Sequence, residues 1–94
     1  MATEKSKEKD IIGGGWTPYR PLTSDDKTLF DQAMEGFTGV SYIPFLVATQ
    51  VVAGINYKFK CNSSLPGSAG GREAIVEIFA PLDGEPYLTG IHRI

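Results

Sequence analysis

The sequence predicts an α+β domain in which a single helix is wrapped by a twisted antiparallel β-sheet of four to five strands. Three observations carry this. One short stretch of helical periodicity opens on a capping signal near residue 23. Four stretches rich in β-branched and aromatic residues follow it, and two of them alternate cleanly. The connections between them are short and built from Gly, Pro, Asp, Asn and Ser. At 94 residues the chain is one domain by size, and it must rely on one modest core.

Residues 1–10 form a charged, polar stretch that is expected to be a flexible tail, with the folded domain spanning 11–94. Ile11-Ile12-Gly13-Gly14-Gly15-Trp16 sets apolar residues on either side of three glycines. Pro18 and Pro21 then favour extended backbone, so this part reads as a lead-in to the helix. Thr23-Ser24-Asp25-Asp26 is a capping box, with Thr23 accepting from the N3 amide while Asp26 reaches back. Both aspartates sit at the positive end of the dipole. Leu29, Phe30, Ala33, Met34 and Phe37 recur at spacings of three and four, predicting a helix of about 13 residues that needs a surface to lie on. Gly36 and Gly39 are its expected stops.

Ser41 to Thr49 is rich in Val, Ile, Phe and Tyr, and Pro44 within it calls for an edge strand or a bulge. From Gly54 to Asn62, Ile55, Tyr57, Phe59 and Cys61 share one face, and Asn56, Lys58, Lys60 and Asn62 the other, the pattern of a half-buried strand. Asn62 to Gly71 is a loop by composition. Ala74, Val76 and Ile78 alternate with Glu73, Ile75, Glu77 and Phe79, giving a third strand. Pro81 to Pro86 is a turn with an Asp-Gly pair, and Tyr87 to Ile94 a closing strand.

Gln50-Val51-Val52-Ala53-Gly54 breaks the pattern. Two strands flank it and glycine ends it, as a tight hairpin requires, yet two valines occupy the tip, where turn chemistry prefers Asn, Asp, Ser or Pro. Exposed β-branched aliphatics stabilise nothing in a monomer. A partner burying both gains roughly 3 to 6 kcal/mol before ordering costs, and apolar projections of this kind mark contact sites. On pattern alone a second reading stands beside it, in which the valines lie inside one continuous strand and the turn falls elsewhere.

These five residues fit the Gln-x-Val-x-Gly signature of the cystatins, and QVVAGINY (residues 50–57) is similar to the version in the disulfide-free stefins. Ile11-Ile12-Gly13-Gly14 resembles the stefin amino-terminal segment, in which apolar residues precede a glycine. Residues 79–90 resemble the last stefin hairpin, and the likeness covers residues 11–94 in the same element order. Secreted cystatins carry Pro-Trp in that second hairpin and stefins a Leu-Pro-like pair. Here Pro81-Leu82 and Pro86-Tyr87 flank a shorter turn. Trp16 has no counterpart in the family pattern.

The resemblance implies a reversible, competitive inhibitor of papain-like, cathepsin-like cysteine peptidases, and not an enzyme. Ile11 and Ile12 would fill apolar non-primed subsites. Gly13 or Gly14 would turn the backbone away from the reactive cysteine. Gln50 would hold the first loop, Val51, Val52 and Ala53 would enter the cleft, and Gly54 would permit the tight return. Leu82, Pro86 or Tyr87 would cover the primed side. The alternative is a non-inhibitory interaction protein on the same fold; the chain is expected to be monomeric, with a domain-swapped dimer as the other state.

Other functions find little in the residues. Cys61 and His92 are the single Cys and His, so a thiol–imidazole dyad is the one nucleophilic option. Cys61 falls on the apolar face of its strand, where a free thiol packs as a small hydrophobe. No metal or other cofactor is expected, because the ligand-type residues do not cluster. The net charge of −2 comes from interspersed acids and bases, which disfavours nucleic acid or an anionic membrane as partner. Gly67-Ser68-Ala69-Gly70-Gly71 precedes a strand and cannot cradle phosphate at a helix start. One cysteine permits no internal disulfide, and no apolar h-region follows the charged first residues, so a cytoplasmic location is expected.

Overall fold

The computed structural model describes residues 14–65 and 71–94. The expected tail at 1–10, Ile11, Ile12 and Gly13, and most of the glycine-rich loop lie outside them. Among the described residues there is one helix, α1 (Ser24–Ala33), and four strands: β1 (Ser41–Val52), β2 (Gly54–Ser64), β3 (Arg72–Ala80) and β4 (Tyr87–Arg93). The strands form one antiparallel sheet in chain order. This is the α+β class that the periodicities predict.

Helix α1 starts where the capping box places it. The Asp26 amide donates to Thr23 Oγ1 at 3.2 Å, and the Thr23 amide donates to Asp26 Oδ2 at 2.9 Å. Arg20 Nη1 reaches the same carboxylate at 2.6 Å, tying the lead-in to the helix start. The helix is shorter than its apolar stripe suggests, with ten residues against about 13. Met34 caps it, and Gly36, at φ +84°, turns the chain away. Phe37 therefore leaves the stripe, stays exposed, and rests against Tyr42 with ring centroids 5.9 Å apart.

One face of the sheet packs against α1. Phe30 meets Phe59 edge-on at 5.0 Å, and Val47, Cys61, Val76 and Ile78 complete the buried cluster. The alternation of β2 and β3 is as the sequence reads it. Strand boundaries differ most in β1 and β2, while β3 starts one residue earlier, at Arg72, and β4 ends one earlier, at Arg93. Strand β1 continues past Thr49 to Val52, because Gln50, Val51 and Val52 keep pairing with Asn56, Ile55 and Gly54. Strand β2 continues past Asn62 to Ser64, where the Ser63 hydroxyl donates to the Arg72 carbonyl at 2.8 Å. Pro44 marks both an edge strand and a bulge, the register slipping between Pro44 and Leu46. The lead-in runs along the outer edge of β1 as a rudimentary fifth strand, bridging Trp16 to Gln50 and Arg20 to Val47.

Candidate functional site at one end of the sheet

Register decides where the predicted contact residues lie. Ile55 pairs with Ala80, so the first hairpin tip (Val52-Ala53-Gly54) and the 81–86 turn sit side by side at one end of the sheet. The lead-in reaches the same end, because Gln50 Nε2 donates to the Gly14 carbonyl at 2.6 Å. The structure thus brings together Gly14, Gln50, Val51, Val52, Ala53, Gly54, Leu82, Pro86 and Tyr87. Ile11, Ile12 and Gly13 are not among the described residues.

The tip is apolar and largely uncovered. Val51 is 59% exposed and Val52 39%, and Ala53 is exposed too. The valines pair as the last residues of a strand, but the turn follows them directly at Ala53 and does not fall elsewhere, so the second reading does not hold and both side chains remain outside the core. Leu82, 81% exposed, and Tyr87, 53% exposed, crown the neighbouring turn, with Pro86 half-buried between. Gly54 makes the closeness possible. It is buried, with φ +119°, and a Cβ there would lie 2.5 Å from the Ala80 carbonyl oxygen and 2.9 Å from Phe79 Cζ.

The loop is held from beneath by amides. Gln50 Oε1 accepts from Asn56 Nδ2 at 2.9 Å while its own Nε2 holds Gly14. One side chain therefore joins β1, β2 and the lead-in. Gln50, Asn56, Phe79 and Tyr87 are cross-strand neighbours in turn, and Trp16 bridges to Gln50, so five residues form one transverse row under the tips. Phe79 and Tyr87 meet edge-on at 5.8 Å, and the Lys58 ammonium lies 4.1 Å from the Trp16 ring centroid. Reading the sequence alone missed Asn56 and Phe79 as parts of this site. Their signal was available in the alternation, which sets Asn56 two places from Gly54 and Phe79 near the end of β3.

The groups with chemical potential elsewhere do not assemble. Cys61 is fully buried in the core, and burial pushes its thiol up to about 12. His92 is on the opposite side of the sheet, exposed, with Nε2 3.1 Å from Glu77 Oε2. Among the described residues no three His, Cys, Asp or Glu side chains converge as metal ligands, and no helix is long and apolar enough to cross a membrane. The arrangement suits surface recognition: a compact apolar edge, braced from below, with nothing among the described residues covering it. Compared with protein-family models, curated proteins and solved structures, the chain matches none.

Proposed function

We propose that this chain is a cystatin-type, stefin-like inhibitor of papain-like cysteine peptidases, acting by reversible and competitive occlusion of the active-site cleft. The observation that carries the reading is the convergence of three segments on one sheet end, with Val51, Val52 and Ala53 standing clear of the core at its centre. The order of lead-in, helix and antiparallel strands, with the lead-in on the outer edge of β1, supports the cystatin-like fold.

The mechanism follows from shape. A narrow groove accepts the valine tip, and with about half of each valine still uncovered, roughly 1.5 to 3 kcal/mol remains to be gained there. Leu82 and Tyr87 flank it and extend the contact, an exposed aromatic being a common anchor. Ile11 and Ile12 fill the non-primed side. No peptide bond is presented in attack geometry, so the chain is bound and not cleaved. Because the tips are braced before encounter, little ordering cost opposes a standard-sized interface. The reading places the protein in a reducing, cytoplasmic setting, in keeping with one buried thiol.

The test is titration of papain and cathepsin-like peptidases with a fluorogenic substrate. Wild type should inhibit competitively, and a Val51→Asp/Val52→Asp variant that keeps its fold should lose at least a hundredfold in affinity, about 2.7 kcal/mol. A folded, monomeric wild-type chain without inhibition refutes the proposal and leaves the non-inhibitory interaction protein.

A further inference from the structure

Trp16 is not part of the hydrophobic core, and the three-segment surface does not by itself require it. We infer that Trp16 is a positioning residue: with Lys58 it clamps the lead-in onto the first hairpin, so that Gly14 is held beside the tips at a fixed point. The inference rests on the inhibitor reading and assigns it a regulator of leader geometry.

The clearest sign is where Lys58 goes. It pairs across the ladder with Ala48 on one side and Glu77 on the other. An ammonium beside a cross-strand carboxylate has an evident partner. The Glu77 carboxylate instead faces His92, and the Lys58 ammonium crosses β1 to lie over the indole. Ala48 is what it crosses, a buried methyl that leaves room for the lysine stem. The next outward lysine repeats the arrangement, Lys60 Nζ lying 5.1 Å from the Tyr19 ring centroid. Two cations of β2 thus grip two aromatics of the lead-in, in the geometry favoured by the ring quadrupole.

Between these grips the backbone is tied down. The Thr17 amide donates to the Thr49 carbonyl at 2.9 Å, and the Thr49 amide donates to Thr17 Oγ1 at 3.0 Å. Gly14 is held by Gln50. Trp16 lies between these two attachments, so loss of the indole removes the Lys58 grip and loosens the segment that carries Gly14 without removing any atom of the tips. Every backbone residue fixed before encounter spares its ordering cost on binding.

A double-mutant cycle on papain inhibition tests this, crossing Trp16→Ala with deletion of residues 1–13, urea midpoints confirming the fold of each variant. Trp16→Ala should weaken the full chain by about three- to tenfold, and the shortened chain by less than twofold. Lys58→Gln should do the same, and Trp16→Phe should restore most of the loss. Equal losses in both backgrounds, or no loss in the full chain, overturn the inference. A second readout does not depend on inhibition. Trp16 is the sole tryptophan, and its acrylamide quenching should rise in Lys58→Gln. Unchanged quenching overturns the clamp. Increased quenching in a chain that inhibits nothing upholds the clamp while the inhibitor reading falls.

Discussion

Gly54→Ala offers the sharpest test of how the two tips are held together. Gly54 has φ +119°, where a side chain is strained whatever the space around it, at a cost of about 1 to 3 kcal/mol. Space is also lacking. The new methyl would sit 2.5 Å from the Ala80 carbonyl oxygen, which is backbone and cannot rotate aside, and 2.9 Å from Phe79 Cζ. Relieving that overlap pries β2 from β3 at the tip, and crowding of this kind costs a further 1 to 3 kcal/mol or so. The total is about 2 to 6 kcal/mol, out of the 5 to 15 typical of a domain. The melting temperature should fall by about 10 °C or more. Gly36→Ala is the control, because Gly36 also has positive φ yet nothing lies within 4 Å of its added methyl. Urea denaturation followed by far-ultraviolet circular dichroism gives both differences. If Gly54→Ala costs no more than Gly36→Ala, the close approach of the hairpins is not what the geometry says.

Other positions separate stability from recognition. Val51→Ala removes exposed methyls and should change unfolding free energy by less than about 0.5 kcal/mol; its effect on papain affinity should be about tenfold, read from the inhibition constant. Asp26→Asn should cost about 1 to 3 kcal/mol at neutral pH by weakening the contact with Arg20, measured by urea midpoint. Burial alone would raise the Asp26 pKa, but the hydrogen bonds from Arg20 and Thr23 outweigh it and hold the carboxyl below its ordinary 3.8. A folded value below the unfolded one means the contribution is complete above the unfolded value and is lost as pH falls through the folded one. Wild type should therefore lose this increment on acidification, and Asp26→Asn should flatten that limb of the curve. Cys61, with its thiol pushed up to about 12 and no exposed surface, should resist iodoacetamide in the native chain at pH 8 and react once unfolded, as mass spectrometry will show.

The elements with a local cause were legible from residues alone. Thr23 and Asp26 satisfy one another within four positions, so the helix start needed no tertiary information. The faces of β2 and β3 followed from strict alternation, and Pro44 announced the bulge on the edge strand. What could not be read depended on partners far along the chain. The helix stops early because Gly36 turns it, although apolar spacing continued to Phe37. The valines of the tip pair as strand and still face outward, with the turn directly after them at Ala53, since beyond Gln50 only the short ends of the ladder remain. The Lys58 contact with Trp16 is invisible to any pattern, because a lysine opposite a glutamate normally suggests an ion pair.

Phe79 shows why the two hairpin tips should behave as one unit. Its ring edge occupies the space a side chain at position 54 would need, with Cζ 2.9 Å from where a Cβ would lie, and its ring meets Tyr87 at 5.8 Å with planes 73° apart. It therefore touches the base of the first tip and the start of the strand that leaves the second. A side chain at position 54 would displace Phe79, and Phe79 would carry Tyr87 with it. The sheet supplies the same coupling through the backbone, because Asn56, Phe79 and Tyr87 are successive neighbours in one transverse row. At the other end of that row Gln50 joins Asn56 to Gly14. The surface that presents Val51, Val52, Leu82 and Tyr87 is thus braced across the width of the sheet, and this allows exposed aliphatic residues to hold a fixed shape without a partner.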